Sequence, residues 1–133
     1  GEEPAPDFSG HRILVVEDNE LNREIAQEVL QGMGTEVETA CDGAEGLRMF
    51  KESEAGYYDA VLMDIQMPVM NGYQATKAIR GLLRPDAATV PIIAMTADAF
   101  AEDVTASKAA GMTAHLAKPL DISAMIRLLS KYL

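Results

Sequence analysis

Five short apolar runs, each followed by a stretch with helical spacing, predict an α/β fold: an open, doubly wound, five-stranded parallel sheet with helices on both faces. Three observations carry this expectation. Most of the runs are apolar without interruption, as strands buried on both faces are. The stretches between them place apolar residues three and four apart, the stripe of a helix with one buried face. The chain has 133 residues, about half of what a closed eightfold barrel needs.

The elements follow in order. Residues 1–10 (GEEPAPDFSG) are rich in Pro, Gly and acid and have no period, so they read as a linker or tail. A globular domain is expected over 11–133, starting near His11 or Arg12. Ile13-Leu14-Val15-Val16 is the first strand, ending in Glu17 and Asp18. Leu21, Ile25, Ala26, Val29, Leu30 and Met33 form the first helical stripe, with Asn19 as N-cap and Gly34 as stop. Thr35 to Ala40 alternates, Val37 and Thr39 opposite Glu36 and Glu38, which suits a more exposed strand. Ala44, Leu47 and Phe50 mark the second helix. Ala60-Val61-Leu62-Met63 is a buried strand ending at Asp64. Ala75, Ile79, Leu82 and Leu83 predict the third helix. Ile92-Ile93-Ala94-Met95 ends at Thr96, and an Ala-rich helix runs from Phe100 to Ala110, stopped by Gly111. Ala114 to Ala117 is a short fifth strand ending at Lys118. Asp121 caps a last helix carrying Ile122, Met125, Ile126, Leu128 and Leu129.

Composition narrows the function. Eleven basic against 21 acidic residues give a net charge of −10, which argues against nucleic acid and against an anionic membrane surface. No run approaches the roughly 18 apolar residues of a membrane span, and no cleavable signal opens the sequence. The single cysteine, Cys41, excludes an intrachain disulfide and suits a reducing, cytoplasmic setting, including the cytoplasmic part of a membrane-anchored protein. No Cys/His cluster surrounds Cys41, and the methionines read as core or loop packing.

Ligands of open parallel sheets sit at the carboxyl ends of the strands. Those ends carry Glu17 and Asp18, then Asp64, Thr96 and Lys118. Three carboxylates brought together call for a cation, and hard oxygen donors favour Mg²⁺ or Mn²⁺. A cation there lets a carboxylate attack phosphorus, while a hydroxyl and an ammonium stabilise phosphoryl oxygens.

The residues at these ends resemble the response-regulator receiver family. The matching pieces are Val15-Val16-Glu17-Asp18-Asn19, Met63-Asp64-Ile65-Gln66-Met67-Pro68-Val69-Met70-Asn71-Gly72, Met95-Thr96-Ala97 and Lys118-Pro119, in that order. The resemblance covers the chain from Arg12 to Leu133. It implies a flavodoxin-like sheet of order 2-1-3-4-5. It implies Asp64 as phosphoacceptor, and Glu17, Asp18, Asp64 and the backbone carbonyl of Gln66 around Mg²⁺. It further implies that Thr96, the Ala97 backbone and Lys118 contact the phosphoryl group, and that Lys118-Pro119 is a cis peptide. Gln66 and Asp98 would tune the lifetime of the acyl phosphate. Thr96 and the residue at His115 would form the switch, and a phosphorylated Asp64 would bias the surface of the fourth helix, fifth strand and fifth helix. His115 stands where the family carries Tyr or Phe. It is smaller and can titrate, so its part in the switch is set against a plain strand histidine.

A finer resemblance, through Asp18-Asn19-Glu20-Leu21-Asn22-Arg23-Glu24-Ile25-Ala26, is to the C-terminal receivers of hybrid sensor histidine kinases. It implies as partners a histidine kinase catalytic core, a histidine phosphotransfer domain, or both. The domain would catalyse only its own phosphorylation and dephosphorylation. The alternatives are a stand-alone single-domain regulator, an Asp-nucleophile metal-dependent phosphatase, a flavin binder and an unphosphorylated pseudo-receiver. The phosphatase would need its nucleophile after the first strand and a second Asp two residues on, where Glu20 stands. The flavin binder would need a Ser/Thr/Gly loop in place of Glu17-Asp18.

Overall fold

The computed structural model describes residues 7–97 and 101–133. Five strands, β1 (Arg12–Val16), β2 (Glu36–Ala40), β3 (Ala60–Asp64), β4 (Ile92–Thr96) and β5 (Ala114–Ala117), form one parallel sheet in the order β2-β1-β3-β4-β5. The helices are α1 (Glu20–Gly32), α2 (Gly43–Glu52), α3 (Gly72–Arg80), α4 (Ala101–Ala110) and α5 (Ile122–Tyr132), and a short 3-10 turn spans Pro85–Ala88. This is the predicted five-stranded, doubly wound sheet. The N-terminal extent read for the fourth helix, at Phe100, lies outside the described residues.

Successive strand residues point to opposite faces, and each face has its own core. Leu14, Val16, Val61, Met63, Ile92 and Ala94 pack on one side with Phe50 of α2 and Ala75 and Ile79 of α3. Ile13, Val15, Leu62, Ile93 and Met95 pack on the other with Ala26 and Leu30 of α1 and Met125 and Leu129 of α5. The uninterrupted apolar runs are thus strands with helices on both sides. At the edge strand β2, Glu36 is exposed and the strand is buried fully only at Ala40.

Helix starts follow the capping rules. Asn19, Asp42, Asn71 and Asp121 each accept a backbone N–H three residues on, and Asn71 with Gln74 forms a capping box. α1 ends before Gly34, which takes a φ of +90°.

Two details differ from the sequence expectation. The segment read as a linker contributes Phe8, which is 5% exposed in the α1/α5 core and donates its N–H to the Met33 carbonyl at 2.9 Å. The packed residues therefore begin before His11. α3 also stops at Arg80, with Gly81 as its C-cap, so Leu82 and Leu83 lie beyond it and Leu83 is fully exposed. The chain turns there because Arg84, held extended ahead of Pro85, carries its guanidinium to the end of α2.

Candidate phosphoryl acceptor site

β1, β3, β4 and β5 end at one edge of the sheet, and their last residues build the site. Glu17 follows β1 and is 1% exposed, Asp64 ends β3 at 3%, and Thr96 ends β4 at 6%. Asp18 is exposed. Carboxylate oxygens of Glu17, Asp18 and Asp64 lie within 4.8 Å of one another. The cavity between them has a volume of about 220 Å³ and is also walled by Gln66, Thr96, Ala97 and Lys118.

Local hydrogen bonds place Glu17. The Glu17 backbone N–H donates to the Ala40 carbonyl at 3.0 Å and Arg23 donates to the Glu17 carbonyl at 2.9 Å. The Asn19 N–H donates to Glu17 Oε1 at 3.2 Å, so the start of α1 orients the acid. Asn22 lines the cavity and serves the Asn19 cap. Sequence reasoning took Asn19 as a cap and as part of the Val15–Asn19 match, and did not single out Asn22 or Arg23 for the site. Both stand in the Asp18–Ala26 run that resembles hybrid-kinase receivers, in the first turns after Asp18, but that run assigned them no role at the site.

Lys118 stands between two acids. Its Nζ is 2.9 Å from Glu17 Oε2, an ion pair without the alignment of a hydrogen bond, and it donates to Oε1 at 3.2 Å. The same Nζ lies 3.0 Å from Asp64 Oδ1. The Lys118–Pro119 peptide is cis. The Lys118 N–H donates to the Thr96 carbonyl at 2.7 Å. Burial would lower the ammonium's pKa, but the hydrogen bonds to Glu17 and Asp64 outweigh it and hold Lys118 above its ordinary value. Asp64 is pushed up to about 7, first by burial; Lys118 opposes this and the charge of Glu17 reinforces it.

Two buried acids and the exposed Asp18, with Lys118 as the nearby ammonium among the described residues, are short of positive charge. Glu17 Oε2 is buried without a hydrogen-bond partner. All donors are carboxylate oxygens, so the residues fit a hard divalent cation. The other residues read from the sequence fall as follows. Gln66 is exposed on the cavity wall, and Ala97 follows Thr96 at its rim. His115 is exposed on β5, in register with Ala94 and outside the cavity lining. Asp98 lies outside the described residues.

The family model described as the response regulator receiver domain matches residues 13–130. The chain belongs to the response regulator receiver family. It is 35% identical over 92% of its length to the peroxide stress-activated histidine kinase mak1 of Schizosaccharomyces pombe. It is 39% identical over 91% of its length to the rice two-component response regulator ORR41, covering 93% of that protein. The chain spans only 8% of the length of mak1 and 7% of that of hybrid signal transduction histidine kinase L of Dictyostelium discoideum.

Among solved structures, the receiver domain of a Pseudomonas aeruginosa sensor histidine kinase, with magnesium coordinated in its active site cleft, matches with a TM-score of 0.82 at 37% identity. That match covers 93% of this chain and 98% of the other. The receiver domain of the Saccharomyces cerevisiae regulator Ssk1, crystallised with the histidine phosphotransfer protein Ypd1, matches with a TM-score of 0.83 at 28% identity. It covers 98% of this chain and 91% of the other. The chain is thus a receiver domain of two-component signalling, and its acidic cluster is consistent with a Mg²⁺ site. Among the described residues, no helix is long and apolar enough to cross a membrane.

Proposed function

We propose that this receiver domain accepts a phosphoryl group on Asp64 from a phosphohistidine of a partner protein. The observation that carries the reading is the buried Asp64 carboxylate flanked by Lys118 at 3.0 Å and by two further acids, at the carboxyl edge of the sheet. Asp64 attacks phosphorus; an O–P bond forms as the N–P bond of the phosphohistidine breaks, and the imidazole leaves and takes up a proton. Glu17, Asp18, Asp64 and the Gln66 carbonyl would hold Mg²⁺, which would supply charge neutralisation for the transfer, and Mn²⁺ would suit the same donor set. Lys118 can leave its pairing with Glu17 to meet the new phosphoryl oxygens as a point charge. The Thr96 hydroxyl and the Ala97 N–H add hydrogen bonds to the same group. Gln66 and Asp98 tune the lifetime of the acyl phosphate.

The added charge of about −1.5 to −2 acts beside Thr96 and Lys118, at the ends of β4 and β5. It biases the surface of α4, β5 and α5, with His115 on that surface as reporter. The donor is a histidine kinase core or a histidine phosphotransfer domain, and the parent chain is a hybrid sensor histidine kinase in the cytoplasm or attached to its membrane. Matches covering most of this chain but under a tenth of several kinases support that reading. A stand-alone regulator is the second reading, supported by the 93% coverage of the rice regulator.

Incubation with acetyl phosphate followed by intact-mass measurement tests the assignment. Wild type should gain one phosphoryl group only when Mg²⁺ is present, and Asp64→Asn should gain none. A gain that survives in Asp64→Asn would overturn Asp64 as acceptor.

A further inference from the structure

The loop after Asp64 is held from two sides by glycines, neither of which takes part in the proposed reaction. The loop matters because Ile65 and Gln66 form a wall of the acidic cavity. It closes on itself: the Gly72 N–H donates to the Ile65 carbonyl at 2.8 Å and the Met70 N–H to the Pro68 carbonyl at 2.7 Å. Val69 takes a φ of +68°, a region a β-branched residue rarely enters, so the loop keeps a shape its own residues disfavour. Such a shape persists only where the surroundings enforce it.

The enforcement is visible at both flanks. On the inner side, Gly72 lies against the acceptor's own backbone, and a Cβ there would sit 2.2 Å from the Asp64 carbonyl oxygen. On the outer side, the first residue of α2 abuts the loop. The Gly43 N–H donates to the Met70 carbonyl at 3.2 Å, and a Cβ on Gly43 would sit 2.3 Å from that oxygen and 3.1 Å from the Asn71 oxygen. Both obstacles are backbone and cannot rotate aside. Nor can α2 lift away cheaply. One turn on, Gly46 rests on Val16, where a Cβ would meet the side chain at 2.8 Å, so α2 is seated directly on β1. A side chain at Gly43 would therefore press on the Met70 and Asn71 backbone, in the loop that begins at the Ile65–Gln66 cavity wall.

We propose that Gly43 is a positioning residue for the acceptor site: by letting α2 abut the Met70 carbonyl, it sets the placement of the Ile65–Gln66 wall and thereby the affinity for the divalent cation. This rests on the reading of the acidic cavity as a cation-assisted acceptor site.

The test compares Gly43→Ala with Gly32→Ala, a helical glycine whose added Cβ meets nothing within 4 Å. Three quantities are read on the whole chain: the Mg²⁺ dissociation constant by calorimetry, the amide shifts of residues 65–72 without metal, and the thermal midpoint. Gly43→Ala should weaken Mg²⁺ binding by about tenfold, as loss of an outer support typically does, and should move those amides; Gly32→Ala should change neither. A folded Gly43→Ala with unchanged metal affinity overturns the proposal, even where its midpoint falls. Should that variant not fold, amide exchange at Gly43 in wild type decides. Exchange slowed by Mg²⁺ supports the coupling, and an unchanged rate overturns it. Wild type that neither binds Mg²⁺ nor gains a phosphoryl group would sink the acceptor reading itself; wild type that does both beside an unaffected Gly43→Ala sinks only this inference.

Discussion

At the scale of single residues, the site is a contest between burial and pairing. Asp64 is moved from its ordinary 3.8 to about 7, with burial the largest cause. Between these values the folded state holds a proton that the unfolded chain has released. Linkage then fixes the sign: the contribution to stability is fully present below about pH 4 and is lost as pH rises through 7. Thermal midpoints in a chelating buffer from pH 5 to pH 8 should therefore fall for wild type relative to Asp64→Asn, which lacks the titrating group. Parallel curves for the two proteins would show that Asp64 does not titrate in this window. The acids and Lys118 were legible in the sequence because parallel strands deliver their last residues to one edge. Arg23 and Gly43 were not. Their roles lie in contacts with backbone atoms of Glu17 and Met70, and no residue pattern marks a backbone contact.

At the scale of elements, polar side chains tie the ends of helices to their neighbours. Arg84 donates to the carbonyls of Phe50, Ser53 and Glu54 and grips Asp86 with two nitrogens, while its guanidinium lies 4.6 Å from the centre of the Phe50 ring. It thereby ties the Phe50 carbonyl in the last turn of α2, and the two carbonyls just after the helix, to the turn at Pro85. The same hydrogen bonds hold the Asp86 carboxyl below its ordinary pKa. Arg84→Ala should lower stability by about 3 kcal/mol, since several carbonyls and a carboxylate lose a charged donor at once, as read by urea denaturation. Arg84→Lys should recover little, because a point charge cannot reproduce the planar fork; full recovery by Lys would reduce the knot to simple charge. This knot also explains why the third helix was read too long. The apolar spacing continues through Leu82 and Leu83, but the chain must leave the helix at Gly81 to bring Arg84 across. A partner 34 residues away in sequence is invisible to periodicity.

At the scale of the whole molecule, the alternation of apolar runs and helical stripes was enough for a doubly wound parallel sheet, since few architectures bury both faces of so many short strands. The strand order was legible through the motifs and not through the periodicity. The inclusion of Phe8 in the core was hidden because one aromatic in a Pro- and acid-rich stretch carries no period. β5 is an edge strand, held on one side only, and just beyond its end the Lys118 amide bonds to the Thr96 carbonyl at 2.7 Å. That bond joins the main chains of the two residues whose side chains are proposed to meet the phosphoryl group. The Lys118 N–H is therefore a gauge of Thr96 that does not depend on the ammonium. In Lys118→Met its resonance should still move when Asp64 is phosphorylated; a resonance that stays fixed would mean that the strand ends respond separately, each through its own side chain.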